Sequence, residues 1–302
     1  MIRGDAKCHI NDYKGAIQDC DNAIDKMPNN GNAYNIRANV EYLLQDLKKA
    51  ILDYNKAIEL SPDLVNPYLA LGKIKFDSGY YNEAFLNFKK VIKLKPDEAI
   101  GYLSCAIIKL KYEQYDSAII YCSKAIELKV DYAEAYSKRG IAKYKKLDYN
   151  ESMIDLNKAI ELNSNLSEAY DFRSMIKNEI GKYNDALEDC NKAIELVNDN
   201  ASFYNNRGFT KYKLGDYNGS IIDLNKALDI KRDFAEAYFN RGNSKIKLGD
   251  YEGACLDWNK AKGNGYIGLD KTINENCYKN IKQNKNVMST PNTVLSQKQV
   301  FK

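Results

Sequence analysis

NKAIEL occupies residues 55–60, and the same six letters return at 157–162 and at 191–196. Related hexamers surround them: DNAIDK from 21, KKVIKL from 89, SKAIEL from 123, NKALDI from 225 and NKAKGN from 259. The starts at 21, 55, 89, 123, 157, 191, 225 and 259 are 34 residues apart at every step. Equal spacing over the whole series marks a tandem array of one supersecondary unit, so repeat boundaries replace the usual division of 302 residues into domains. The units are a truncated first copy at 1–30, then 31–64, 65–98, 99–132, 133–166, 167–200, 201–234 and 235–268. A capping helix at 269–283 and a flexible tail at 284–302 follow.

Eight copies of one unit let recurrence be read within a single chain. Position 8 is always small (Gly4, Ala38, Gly72, Ala106, Gly140, Ser174, Gly208, Gly242), position 20 is Ala or Ser, and position 27 is Ala except at Val91. Small residues at fixed points of two successive segments imply helix backbones in close approach. The second segment is helical by pattern: AFLNFKKVIKL at 84–94 places apolar residues at 84, 85, 88, 91 and 92, with Leu86 off the stripe. Gly79, Gly181, Gly215 and Gly249 stand where the first helix ends, suiting a left-handed cap, and Pro28, Pro62 and Pro96 close the second helix. Each repeat is a helix–turn–helix that cannot bury its own apolar face, so neighbours must stack.

With an aromatic at position 4 (Tyr34, Tyr68, Tyr102, Tyr136, Tyr170, Tyr204, Tyr238), a small residue at 8 and alanine at 20 and 27, residues 1 to 268 resemble the tetratricopeptide repeat (TPR) family. The resemblance implies an all-α fold, a right-handed α-solenoid of 34-residue helix–turn–helix repeats, and a non-enzymatic protein–protein interaction scaffold. This sequence departs from the family pattern at position 7, mostly arginine here, at position 11, mostly lysine, and in lacking the closing proline in the last five units.

Composition narrows the function classes. With 44% hydrophobic and 28% charged residues the chain is foldable, and no apolar run approaches the ~20 residues of a membrane helix. Removing the six tail lysines from 45 basic residues, and Asp270 and Glu275 from 41 acidic ones, leaves 39 of each over 1–269. A neutral body argues against nucleic acid as partner, including the RNA-binding mode of pentatricopeptide arrays, whose period is about 35. A single histidine argues against His-based metal or acid–base chemistry, and no cofactor is expected. Cys20, Cys122 and Cys190 share position 24 with Tyr54, Phe88 and Leu156, so cysteine reads as a small core hydrophobe, and no CxxC pair exists. Fourteen of 24 tyrosines belong to positions 4 and 17 and read as framework.

Arginine at position 7 recurs wherever aspartate occupies position 23: Arg37 with Asp53, Arg139 with Asp155, Arg173 with Asp189, Arg207 with Asp223, and Arg241 with Asp257, besides Arg3 with Asp19. Both are lost together in repeats three and four, which carry Leu71 with Asn87 and Cys105 with Tyr121. Matched presence and matched loss predict ion pairs across the two helices of a repeat.

The resemblance places ligand contacts on the first helices, chiefly at positions 2, 5, 9, 12 and 13. From these the expected protein-binding groove comprises Tyr42, Phe76, Leu103, Ile107, Leu110, Ile141, Tyr144, Met175, Phe209, Tyr212 and Phe239. It is apolar in the middle, with amides such as Asn35, Asn39 and Asn205 near its ends, and repeats three and four are the expected hot spot. The dicarboxylate clamp of chaperone-binding members finds no register: Asn39 is followed by Ala70, and Asn206 by Glu236 and Asn240. The expected ligand is therefore a protein or peptide other than a chaperone tail, with no membrane insertion. Repeat one lacks the first turn of its first helix, so the chain reads as a fragment or one with a misplaced start. A cytoplasmic location is favoured. The alternative reading is the repeat region of a larger enzyme or of an envelope or secretion assembly whose chemistry lies outside this chain. The closing GACLDWNKAKGNG resembles the ends of bacterial repeat proteins.

Overall fold

The computed structural model describes residues 12–273, 275 and 277. Its described residues are helical throughout, without strands. Among the described residues, a second-segment helix, α1 (Tyr13–Lys26), precedes seven helix pairs. These are α2 (Gly31–Leu43) with α3 (Leu47–Leu60), α4 (Val65–Asp77) with α5 (Tyr81–Leu94), α6 (Ala99–Lys111) with α7 (Tyr115–Leu128), and α8 (Ala133–Lys145) with α9 (Tyr149–Leu162). Then come α10 (Ser167–Glu179) with α11 (Tyr183–Leu196), α12 (Ala201–Lys213) with α13 (Tyr217–Ile230), and α14 (Ala235–Lys247) with α15 (Tyr251–Gly263). The short α16 (Asp270–Ile273) closes the described fold.

The chain divides into two compact units, Met1–Ser164 and Asn165–Lys302. Within each, a helix packs on its sequence neighbours, and first helices of successive repeats also touch: α6 with α8 in the first unit, α10 with α12 and α12 with α14 in the second. The fold is an all-α solenoid, as the 34-residue pattern requires.

Local chemistry explains each pair. The turn residue at position 15 is left-handed in all seven: Gly79, Gly181, Gly215 and Gly249 at φ between 77° and 84°, but also Gln45 (63°), Glu113 (55°) and Leu147 (65°). The non-glycine residues accept a conformation that costs roughly 1–2 kcal/mol, so packing of the flanking helices dictates the turn. The aspartate after the turn caps the second helix in several copies: Asp46, Asp148, Asp216 and Asp250 accept from the backbone N–H three residues on.

Helix crossings are set by size complementarity between positions 8 and 24. A Cβ on Gly72 would fall 2.5 Å from the Phe88 ring, and one on Gly242 would fall 2.6 Å from the Trp258 indole. Glycine faces the Phe88 and Trp258 rings and also Leu156 and Leu224, whereas Ala38 stands in the repeat of Tyr54, and Ala106 and Ser174 occupy the same position in repeats whose residue 24 is Cys122 or Cys190. Ala38, Ala106 and Ser174, with Ala50, Ala84, Ala118 and Ala186 at position 20, are fully buried.

At the C-terminal end, Leu269, Ile273 and Cys277 pack on Ala254, Trp258 and Ala261, as a cap over repeat eight would. The rest of the expected capping helix beyond Cys277 and the expected tail at 284–302 lie outside the described residues, as do residues 1–11 with Arg3, Gly4 and His9. One feature departs from the reading of cysteine as core: Cys277 forms a disulfide with Cys255 of α15. Cys277 stands on an apolar stripe, which hid the pairing, and the bridge ties the cap to the last helix of the array.

Candidate functional site

The guanidinium at position 7 is the most connected group in a repeat. Arg139 donates from Nε to Asp155 Oδ2 (2.8 Å) and from Nη2 to Asp155 Oδ1 (2.7 Å), a bidentate pair from α8 to α9. Its Nη1 reaches back to Ser123 Oγ on α7 at 3.0 Å, and its guanidinium carbon lies 5.5 Å from the Tyr136 ring centroid. Arg37 likewise binds Asp53 (2.6 and 2.9 Å) and reaches back to Asp21 (2.7 Å). Arg207 and Arg241 bind Asp223 and Asp257 and reach back to Asn191 (3.0 Å) and Asn225 (2.6 Å), and Arg173 binds Asp189 (2.8 and 2.7 Å). One arginine thereby joins its own two helices to the preceding repeat. The sequence reading missed that backward contact, to position 25, and it missed a third partner. The lysine at position 11 adds its ammonium to the same aspartate: Lys143 to Asp155, Lys177 to Asp189, Lys211 to Asp223 and Lys245 to Asp257, at 2.7–2.8 Å.

In the first unit, where repeats three and four lack this network, the first helices leave an open groove. It measures about 460 Å³ and is lined by Tyr42, Asn66, Leu69, Lys73, Phe76, Ile100, Ser104 and Ile107, with Tyr54 and Phe88 at its floor. Asn66 Nδ2 donates to Asn35 Oδ1 (2.8 Å) and to Asn39 Oδ1 (2.9 Å), while the Tyr54 hydroxyl also donates to Asn39 Oδ1 (2.8 Å). Asn39, its oxygen taken twice, also lines the groove. Lys73 stands 5.7 Å from the Tyr42 ring and carries the exposed positive charge.

The expected groove residues divide. Tyr42, Phe76 and Ile107 line the depression together, and Leu110 and Tyr144 are half-buried elsewhere on the same unit. Leu103 and Ile141 are not groove residues: they are 6% and 8% exposed, and Leu103 packs against Ala125, Ile126 and Ala135. Position 5 is buried at Ser137, Asp171 and Asn205 as it is at Leu103, whereas Leu69 at the same position lines the groove. In the second unit, Met175, Phe209 and Tyr212 are half-buried, and Tyr212 leans on Tyr217 at 5.6 Å. Phe239 is covered by Tyr266, stacked at 4.5 Å. Position 6, which supplies Ser104 and Ala70 to the groove, carried no signal in the sequence because its residues are small or polar in every copy that lines it.

A family model described as TPR repeat matches residues 38–79, 176–215 and 210–249, and one described as Tetratricopeptide repeat matches 65–98. Residues 38–98 and 176–249 are tetratricopeptide repeats. No curated protein matches it. Among solved structures, a chain of the APC/C hetero-tetramer Cut9–Hcn1 is similar, with a TM-score of 0.70 and 15% identity over 88% of this chain and 52% of that one. The array therefore spans about half the length of that neighbour. A tetratricopeptide repeat protein from Parabacteroides merdae has a TM-score of 0.61 at 19% identity, covering 82% and 96% of the two chains. PilF of Pseudomonas aeruginosa has 0.60 at 16%, covering 73% and 97%. At these identities the likeness is one of fold.

The array contains no set of His, Cys, Asp or Glu side chains arranged to hold a metal among the described residues, and none of its described helices is long and apolar enough to cross a membrane. Burial pushes the thiols of Cys20 and Cys190 up to about 11 and those of Cys105 and Cys122 to about 12, so these are unreactive core groups.

Two buried carboxyls stand apart. Asp171 accepts from Asn206 Nδ2 (2.8 Å) at the end of an amide ladder that runs from Asn240 to Asn205 (3.0 Å) and on to Asn206; burial pushes it up to about 7. Glu41 occupies position 11, where later repeats hold lysine; it is 7% exposed, and its Oε2 meets no hydrogen-bond donor. Burial and then the charge of Asp53 push it up to about 7, against the pull of Arg37. A carboxyl raised in the fold binds more protons there than in the unfolded chain, so its contribution is present below about pH 4 and lost as pH rises to about 7. Wild type should therefore lose stability between about pH 4 and 7 relative to Glu41→Gln, with the variant's urea midpoint ahead by pH 8. Glu41→Lys, which offers Asp53 the ammonium that Asp155 receives from Lys143, should gain most; parallel midpoints for all three across this range would contradict the assignment.

Proposed function

We propose that this array is a non-enzymatic scaffold whose first-unit groove holds an extended segment of a partner protein. The observation that carries the reading is the groove over repeats two to four, where apolar walls meet amide side chains, Lys73 and Asp77. Tetratricopeptide repeats and neighbours of that fold support an interaction scaffold in general. The groove's chemistry narrows the ligand: Leu69, Phe76, Ile100 and Ile107 would take aliphatic or aromatic side chains at roughly 1.5–3 kcal/mol each, and the Asn39 NH2 would donate to a backbone carbonyl. Because Leu103 is buried, substitutions there would test stability rather than binding.

A second reading is favoured by the Cys255–Cys277 bridge. Disulfides persist in oxidising compartments, which supports a place in an envelope or secretion assembly over the cytosol. Denatured protein from its source cells should then gain two alkylated cysteines after reduction; an unchanged count would return the chain to a reducing compartment.

The groove itself is tested with a photo-reactive side chain in place of Ile100, which is 42% exposed and so tolerates replacement. One protein should crosslink from Ile100, not from the exposed turn residue Val130, and Lys73→Glu with Ser104→Lys should reduce the yield at least about tenfold. Equal crosslinking from Val130, or indifference to the groove substitutions, would contradict the proposal.

A further inference from the structure

The second helices carry a recurrent feature on the side away from the packing. Position 22, midway between the buried positions 20 and 24, is a large aliphatic residue open to solvent in six of the eight repeats, with Gln18 and Glu188 as the exceptions. In the first unit these are Leu52 (68% exposed), Leu86 (69%), Ile120 (68%) and Ile154 (60%); in the second, Ile222 and Leu256. Four residues on, position 26 is lysine in every repeat from two to eight. In most of the first unit that lysine is neutralised within its own helix, by Lys56–Glu59 (2.8 Å), Lys124–Glu127 (2.8 Å) and Lys158–Glu161 (2.7 Å).

Repeat three breaks both charge patterns at once. Position 29 is Lys93 rather than glutamate, so Lys90 lacks the carboxylate three residues on and instead stands 5.7 Å from the Tyr68 ring. Position 25, which accepts from the arginine of the next repeat at Asp21, Ser123, Asn191 and Asn225, is Lys89 here, and the next repeat carries Cys105 instead of that arginine. The carboxylate of Glu83 on the same helix is engaged by Lys75 at 2.7 Å. The result on α5 is a depression of about 430 Å³ lined by Leu86, Lys89, Lys90, Ile92 and Lys93.

We propose that the outer face of α5 is a second docking site, separate from the groove, for an acidic protein segment carrying an aliphatic side chain among its carboxylates. Three lysines within two turns of one helix complement a short run of carboxylates, and Leu86 with the stem of Lys90 supplies the apolar seat. The charge is confined to one repeat. Second helices on either side carry neutral Lys–Glu pairs, so an anionic membrane or a nucleic acid, which need basic surface to continue, fits less well than a short acidic peptide.

The test is fluorescence anisotropy at low and moderate salt with a labelled synthetic peptide of repeating Glu-Glu-Leu, on the full chain. Companion probes are the same peptide with Gln for Glu or Ser for Leu, phosphatidylserine-containing vesicles, and single-stranded oligothymidine. Wild type should bind the Glu-Glu-Leu peptide and bind both altered peptides less well. The combined Lys89→Glu, Lys90→Glu and Lys93→Glu variant, and separately Leu86→Ser, should each weaken it at least about tenfold while helicity is unchanged. Lys73→Glu with Ser104→Lys in the groove should leave binding intact. The proposal is overturned if no peptide binds, if the α5 variants bind as wild type does, if the groove variant abolishes binding, or if vesicles or oligothymidine are the probes whose binding the α5 variants remove.

Discussion

A half-buried guanidinium that touches three helices is the contact on which the regular part of the array depends. Arg139 holds Asp155 on its partner helix, reaches Ser123 on the preceding repeat and lies on Tyr136 of its own helix. Asp155 is 2% exposed, and Lys143 approaches its second oxygen. A carboxylate this deep is tolerated only when its lone pairs are fully engaged, and here two cations divide them. Because the arginine spans a repeat boundary, it fixes how one repeat sits on the next as well as how a repeat closes on itself.

Loss of that contact is as informative as its presence. Repeats three and four replace it with Leu71, Cys105, Asn87 and Tyr121, and the features that suggest function gather there: the groove on the first helices and the unneutralised lysines on α5. Repeat two keeps the arginine but places Glu41 where later repeats place lysine, so its network holds one carboxyl too many. Regular repeats supply rigidity, and the irregular ones expose chemistry, as expected when a solenoid carries its binding surface on a subset of units.

Much of this is legible in the sequence because eight copies act as an internal alignment. A position that is glycine beside Trp258 and alanine beside Cys122 declares a helix crossing without any structure. The register of Arg37 with Asp53 is readable in the same way. Contacts that run backwards across a repeat boundary, such as Arg207 to Asn191, are not, since the acceptor changes identity from copy to copy. Leu103 and Ile141 are apolar at positions that face the groove in the resembled family, but sequence alone does not tell a groove wall from an interhelical wedge. Cys277 reads as one more apolar residue at helical spacing, and only the fold brings it to Cys255. The amide ladder ending at Asp171 is invisible for a different reason: its members come from positions 5 and 6 of different repeats.

The most direct measurement is a double-mutant cycle on Arg139 and Asp155, comparing Arg139→Leu, Asp155→Leu and the double variant by urea denaturation. Removing Asp155 alone should cost about 3–5 kcal/mol, because it strands two cations in a packed boundary. The double variant should lose less than the two singles together, by ~2 kcal/mol or more. Additive losses would mean that the arginine is an independent packing residue, and that the array owes its regularity to the small residues at positions 8, 20 and 27 alone.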